Sequence, residues 1–288
     1  MTDRAFDQQH FVTVGPDEIA YRKVGQGPVL VLIHGWPLHG ESWRELVTRL
    51  APHYTCLVPD TPGLGSTRWS EQTEFSFRGH ARALSGFVEA LGITEYAAAA
   101  FDTGATVARL MARDSASTMR ALVVLNTEMP GHRPPWIPFY IRFTSLPGSW
   151  AMLRFLLRQR TYLRSSMGFG GCFKNPDRID DAFVARYVQP LVESPQRLEG
   201  MVRYLQGIDW KVVDELATIH GELTIPTQLV WGVQDPTFPI ERARAMLPQF
   251  KACDGLIEIE DARLLVHEEQ PDAVAAATIA FLGRHGWS

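Results

Sequence analysis

Hydrophobic and polar positions along the 288-residue chain fall into a recurring order. Two short segments, 11–14 and 18–23, alternate in character around the turn Gly15-Pro16-Asp17, which predicts a β-hairpin. Pro28-Val29-Leu30-Val31-Leu32-Ile33 is an unbroken apolar, largely β-branched run, the composition of a strand buried on both faces of a mostly parallel sheet. An amphipathic segment over 41–50 follows. The same alternation then returns, with strands over 54–58, 96–101 and 121–125 and helices over 76–91 and 104–113. Strand and helix in turn predict βαβ units, hence an α/β fold around a mostly parallel central sheet.

After Asn126 the rhythm breaks. Pro130, Pro134, Pro135, Pro138 and Pro147 punctuate a stretch rich in aromatic and cationic residues, and from about 131 to 223 there are helical patches but no buried strand. The strand pattern resumes over 226–231 and 255–260, and an Ala-rich helix over 268–282 closes the chain. The expected organisation is a core built from 1–130 and 224–288, with a helical lid over 131–223 above the carboxyl ends of the strands, where open α/β sheets bind ligands. No internal repeat or low-complexity tract interrupts this plan.

Composition narrows the partners. A chain of this length, 45% hydrophobic, can bury one substantial core with an inserted subdomain. Its formal charge is only −4 and no run of Lys and Arg builds a phosphate-binding face, which argues against a nucleic-acid partner. Residues 1–10 are polar and charged, unlike a secretory signal, and no apolar run approaches the roughly 18 residues of a membrane span, so no membrane partner is expected. Cys56, Cys172 and Cys253 have no metal-type spacing and cannot all pair. They read as free buried thiols of a cytoplasmic protein. The sequence carries no signature of an oligomeric state.

Candidate chemistry gathers at the ends of the predicted strands. In Tyr96-Ala97-Ala98-Ala99-Ala100-Phe101-Asp102-Thr103-Gly104-Ala105 a strand runs through a tight turn into a helix, with small residues on either side of Asp102. Such neighbours let the backbone turn sharply enough to expose one side chain, as in a nucleophile elbow. An ordinary helix N-cap is the competing reading of Asp102. A carboxylate on such an elbow would attack a carbon bearing an epoxide, halide or similar leaving group and form an ester intermediate. His34-Gly35-Trp36-Pro37 follows the buried strand directly, Asp60-Thr61-Pro62-Gly63-Leu64-Gly65 follows the next, and Gly232-Val233-Gln234-Asp235-Pro236 lies after a late strand.

On these motifs the chain resembles the α/β-hydrolase superfamily over nearly its whole length, closest to the branch with an Asp nucleophile that includes epoxide hydrolases and haloalkane dehalogenases. The resemblance implies an α/β-hydrolase fold with a helical lid. It implies Asp102 as nucleophile, an oxyanion hole from the backbone N–H groups of Trp36 and Thr103, and Asp235 as the acid that orients a catalytic His. Tyr140, with Phe143 and Pro147-Gly148 after it, resembles the segment whose tyrosine protonates an epoxide oxygen, and Tyr204 falls near the second such tyrosine. Thr103 after the nucleophile departs from the haloalkane dehalogenases, which typically carry Trp there, and also from the many epoxide hydrolases that carry the same Trp. No metal or organic cofactor is implied, since the histidines have no ligand spacing and the glycines near Gly35 and Gly63 belong to turns.

The base departs from the pattern. Family members keep His seven residues before the Pro that opens the last helix, and here that position is Leu264. Phe101 likewise stands where a His usually precedes the nucleophile. Three readings follow: an epoxide hydrolase-like enzyme with a relocated base, His267 or His39; a non-hydrolytic ring-opening or isomerising enzyme; or a ligand-binding pseudoenzyme. Dehalogenase and esterase activities stand as further alternatives. Trp136, Phe139, Phe143, Trp150, Phe155, Phe169 and Phe173 in the lid point to an apolar small-molecule substrate, and the Gly-rich stretch 168–171 to a hinge or close backbone approach.

Overall fold

The computed structural model describes residues 2–115 and 117–288. Met1, at the head of the polar N-terminal segment 1–10, lies outside them; helix Thr2–Asp7 follows it. The strands are β1 (His10–Val14), β2 (Asp17–Val24), β3 (Val29–Ile33), β4 (Thr55–Pro59), β5 (Tyr96–Phe101), β6 (Met119–Leu125), β7 (Thr227–Gly232) and β8 (Cys253–Ile259). They form one sheet in the order β1-β2-β4-β3-β5-β6-β7-β8. β1, β2 and β4 pair antiparallel and every later pair is parallel. From β3 the chain moves outward to β4, then crosses back to place β5 on the other side. The carboxyl ends of β3 and β5 therefore flank the switch point at which such sheets bind ligands.

The principal helices are α1 (Arg44–Leu50), α2 (Phe77–Ala90), α3 (Thr103–Asp114), α4 (Trp136–Thr144), α5 (Ser149–Leu156), α6 (Pro195–Gln206), α7 (Trp210–Glu222) and α8 (Pro271–Arg284). One apolar layer joins α1 and α8 to one face of the sheet, and a second joins α2, α3 and α7 to the other. β5 is buried at every position, and its four consecutive alanines leave room for helices on both faces. α2 starts where Ser76 accepts a hydrogen bond from the Gly79 N–H, an N-cap that ends the preceding loop.

Two sequence expectations shift. The closing helix begins at Pro271 rather than 268, because Pro cannot donate to a preceding turn and the short helix Val266–Glu269 is separated from α8 by Gln270. The stretch 131–223 is helical, as its pattern predicts, but α7 does not sit with the rest of it. It packs against α3 with Val212, Val213, Leu216 and Ile219 buried, serving as the crossover helix that a parallel β6-to-β7 connection requires.

Gly104 measures how tightly α3 is seated. A Cβ there would lie 2.2 Å from the main-chain O of His34, a contact that only backbone movement could relieve. Gly104→Ala is expected to destabilise the fold by about 2–4 kcal/mol in denaturant unfolding. Gly283 in α8 faces open space. Gly283→Ala should be neutral or stabilise by up to about 1 kcal/mol, and equal effects of the two substitutions would contradict the packing described.

Candidate active site

Asp102 closes β5 in a conformation that its residue type disfavours. With φ 51° and ψ −140° it is the one non-glycine with positive φ among the described residues. The surroundings hold it there. Its N–H donates to the Asn126 main-chain O at 2.7 Å, and its own O accepts from the Ala105 N–H at 2.9 Å and the Thr127 hydroxyl at 2.8 Å. Gly35 is required opposite, since a Cβ there would lie 2.4 Å from the Asp102 Cβ and Oδ2. The N-cap reading fails, because the side chain caps no later N–H of α3. Its carboxyl instead lies by the backbone N–H groups of Thr103 and Trp36, which favour its charged form.

The carboxyl opens on a cavity enclosing about 1060 Å³ of empty space, its mouth included. Core residues Trp36, Thr103, Glu128 and Leu264 meet Ile137, Leu157, Phe169 and Met201 of the helical insertion in its wall, and among the described residues no Lys, Arg or His lines it. Burial, then the charges of Glu128 and Asp235, push the Asp102 carboxyl well above the ordinary carboxylate range, opposed by the two N–H groups. Asp235 is itself buried and pushed up to about 7 by desolvation. Its oxygens are taken by Asn126 Nδ2 and the Thr237 N–H, each at 2.8 Å, and it does not line the cavity.

The expected tyrosines separate. Tyr140 lines the cavity, and its hydroxyl lies 2.6 Å from the Met167 main-chain O and 2.7 Å from the Tyr162 hydroxyl. With one proton per phenol, Tyr162 donates to Tyr140 and Tyr140 to Met167. Burial raises both phenols, so both keep their protons. Tyr204 is turned away: its ring stacks on His80 at 4.0 Å and its hydroxyl donates to Thr103 Oγ1 at 3.1 Å. The same Thr103 oxygen accepts the Trp36 N–H at 2.8 Å. The second tyrosine of the cavity is thus Tyr162, which sequence reasoning missed, and Tyr204 braces the loop bearing Trp36.

Neither relocated base reaches the site. His267 is fully buried between Trp43 and Phe101, ring centroids 4.5 Å and 4.2 Å away, with both ring nitrogens unpartnered. Burial lowers it to about 3. Leu264 faces the cavity, but the chain then enters the short helix Val266–Glu269, which aims His267 into the layer beneath α1. His39 rests on Tyr187 with Nε2 3.2 Å from the Arg186 main-chain O, also outside the cavity.

Sequence reasoning also missed Glu128, a buried carboxylate in the cavity wall. Its signal was available, since Asn126-Thr127-Glu128 follows a buried strand directly, where parallel sheets present ligand-facing groups. Of the insertion's Trp and Phe side chains, Trp136, Phe169 and Trp210 line the cavity, whereas Phe139 and Phe155 are exposed. In the Gly-rich stretch a Cβ at Gly168 or Gly170 would strike backbone at 2.3 or 2.0 Å, the close approach expected there, while Gly171 has room. Cys172 lines the cavity, and Cys172 and Cys253 are partly exposed as residues, unlike Cys56, which is buried.

A family model described as "alpha/beta hydrolase fold" matches residues 28–271. Haloalkane dehalogenase 2 of Mycobacterium tuberculosis (strain ATCC 25618 / H37Rv) is 27% identical over 274 residues, covering 92% of this chain and 91% of its own. Soluble epoxide hydrolase of Corynebacterium sp. (strain C12) is 27% identical over 238 residues, covering 77% of this chain and 80% of its own. The solved structure of epoxide hydrolase CorEH without ligand shares the fold, with a TM-score of 0.81 at 21% identity over 96% of this chain and 99% of that one. Among the described residues no helix is long and apolar enough to cross a membrane.

The raised Asp102 carboxyl has a consequence for stability. The folded state holds this proton more tightly than the unfolded chain, so that contribution is present below the ordinary aspartate range and is lost as pH rises through the folded value. Asp102→Asn carries no such loss. Its Tm should exceed that of the wild type by about 2–4 °C at pH 8, and thermal unfolding should show the gap closing towards pH 4; an equal or lower Tm at pH 8 would contradict the electrostatics described.

Proposed function

The chain belongs to the alpha/beta hydrolase fold family, and we propose that within it the protein acts as an epoxide hydrolase-like enzyme on an apolar small molecule. Asp102 is the nucleophile, and the helical insertion is the lid of its pocket. One observation carries this reading: a carboxylate, not a hydroxyl, occupies the strained β5–α3 turn, faces two peptide N–H groups, and shares its cavity with a hydrogen-bonded pair of tyrosines.

The chemistry follows from those groups. A carboxylate oxygen of Asp102 attacks a ring carbon of the epoxide, the C–O bond of the ring breaks, and an ester forms. The departing oxygen takes the proton of Tyr140, which gives up its bond to the Met167 carbonyl, and Tyr162 donates to Tyr140 from behind. The mouth and walls are dominated by side chains such as Trp136, Ile137, Leu153 and Phe238, which suit an apolar body. An oxygen leaving group is favoured over a halide because two phenol protons are available to it. The Trp36 indole N–H, a natural halide donor beside Asp102, is already bonded to the Met201 main-chain O at 3.0 Å.

Intact-protein mass spectrometry after exposure to styrene oxide should detect an adduct on the wild type and none on Asp102→Asn. Tyr140→Phe should slow epoxide opening by about 10²-fold yet barely change alkylation by an alkyl bromide, whose leaving group needs no proton. An adduct on Asp102→Asn, or equal slowing with both reagents, would refute the assignment.

A further inference from the structure

An ester on Asp102 must be cleaved by water for the enzyme to turn over, and the usual imidazole position is filled by Leu264 in the cavity wall. The ionisable groups that line the cavity are Asp102, Glu128, Tyr140, Tyr162 and Cys172. The two phenols and the thiol are raised by burial and hold their protons. Asp235 lies behind the wall, tied to Asn126 and the Thr237 N–H. One further carboxyl group lies on the cavity wall itself, that of Glu128.

We propose that Glu128 is the general base that activates water against the Asp102 ester, a catalytic role that rests on the reading of Asp102 as nucleophile. Its setting is built for an acceptor. The Arg109 guanidinium, fully buried, donates to Thr106 Oγ1 at 2.9 Å and Thr127 Oγ1 at 2.8 Å. Each threonine oxygen then turns its own proton to Glu128 Oε2, at 2.7 Å and 2.9 Å, the Thr127 proton being shared with the Asp102 main-chain O. Arg109 also grips the Glu128 main-chain O with two N–H groups at 3.1 Å. Oε2 is thereby fixed, while Oε1 has no hydrogen-bond partner among the described residues and belongs to a side chain that lines the cavity. The same neighbour also favours the first step: esterification neutralises Asp102 and removes its repulsion with Glu128.

In the second step Glu128 takes a proton from water as the hydroxide oxygen bonds to Cγ of the ester. The resulting oxyanion lies against the Thr103 and Trp36 N–H groups. Collapse breaks the bond from Cγ to the alcohol oxygen, which receives the proton held by Glu128, and the proton of the new Asp102 acid returns, by way of solvent, to the Tyr140 phenolate left by the first step. Ester and water thus become alcohol and carboxylate, with no further reactant.

The test is single-turnover kinetics with styrene oxide, followed by intact-protein mass spectrometry on the wild type, Glu128→Gln and Glu128→Ala, with one wild-type turnover in H₂¹⁸O. The wild-type adduct should decay and leave label in the peptide carrying Asp102. Glu128→Gln should form the adduct at least as readily but lose it about 10²–10⁴-fold more slowly. Added formate should restore decay in Glu128→Ala, a rescue that a merely structural role would not allow. Decay of the Glu128→Gln adduct at the wild-type rate, or a wild-type adduct that never decays, would overturn the role of Glu128 while leaving Asp102 as nucleophile. Turnover with label only in the product and no adduct on any variant would overturn both.

Discussion

A carboxylate held out of water beside two others is the constraint on which the rest of this structure depends. Asp102 sits at the end of a fully buried strand, in a backbone conformation that few side chains adopt, and feels the charges of Glu128 and Asp235. A lone charge in such a place would be prohibitive, and proteins keep one only where fixed dipoles and hydrogen bonds replace the lost water. Here those are the peptide N–H groups of Trp36 and Thr103, which depend in turn on Gly35 and Gly104 letting the β3 loop and α3 approach. The strain, the glycines and the helix start are one arrangement rather than separate features.

That arrangement distributes the polar groups sharply. Asn126 bridges β6 and β7, accepting the Gly232 N–H and donating to Asp235, so the third carboxylate becomes part of the frame. Arg109, the buried cation nearest the cluster, is directed through two threonine hydroxyls to Glu128 and does not reach the cavity surface. The cavity therefore presents carboxyl groups and phenols, with Thr103, Thr144, Thr237 and Cys172, on a wall that is mostly apolar.

The histidines illustrate how a local rule fails. His34 accepts the Thr61 N–H at 2.9 Å and pins the β3 loop to the β4 loop. His80 stacks on Tyr204, His220 on Phe250, and His267 between Trp43 and Phe101. Burial lowers all four, to about 4 for His34 and about 3 for the others, so each is a neutral packing element.

The sequence by itself determined the alternation of strands and helices, the Asp-bearing turn after β5, and the helical insertion between β6 and β7. These follow from apolar runs, small residues at a sharp turn, and the loss of strand pattern, all of which are local. Only the tertiary structure decided which side chains share the cavity. Tyr162 replaces Tyr204 as the partner of Tyr140, Glu128 enters the wall while Asp235 withdraws behind Asn126, and His267, three residues past Leu264, faces the opposite layer. The physical reason is that the direction of a side chain at the end of an element is set by the turn that follows and by what packs against it. Neither is written in the spacing of residue types.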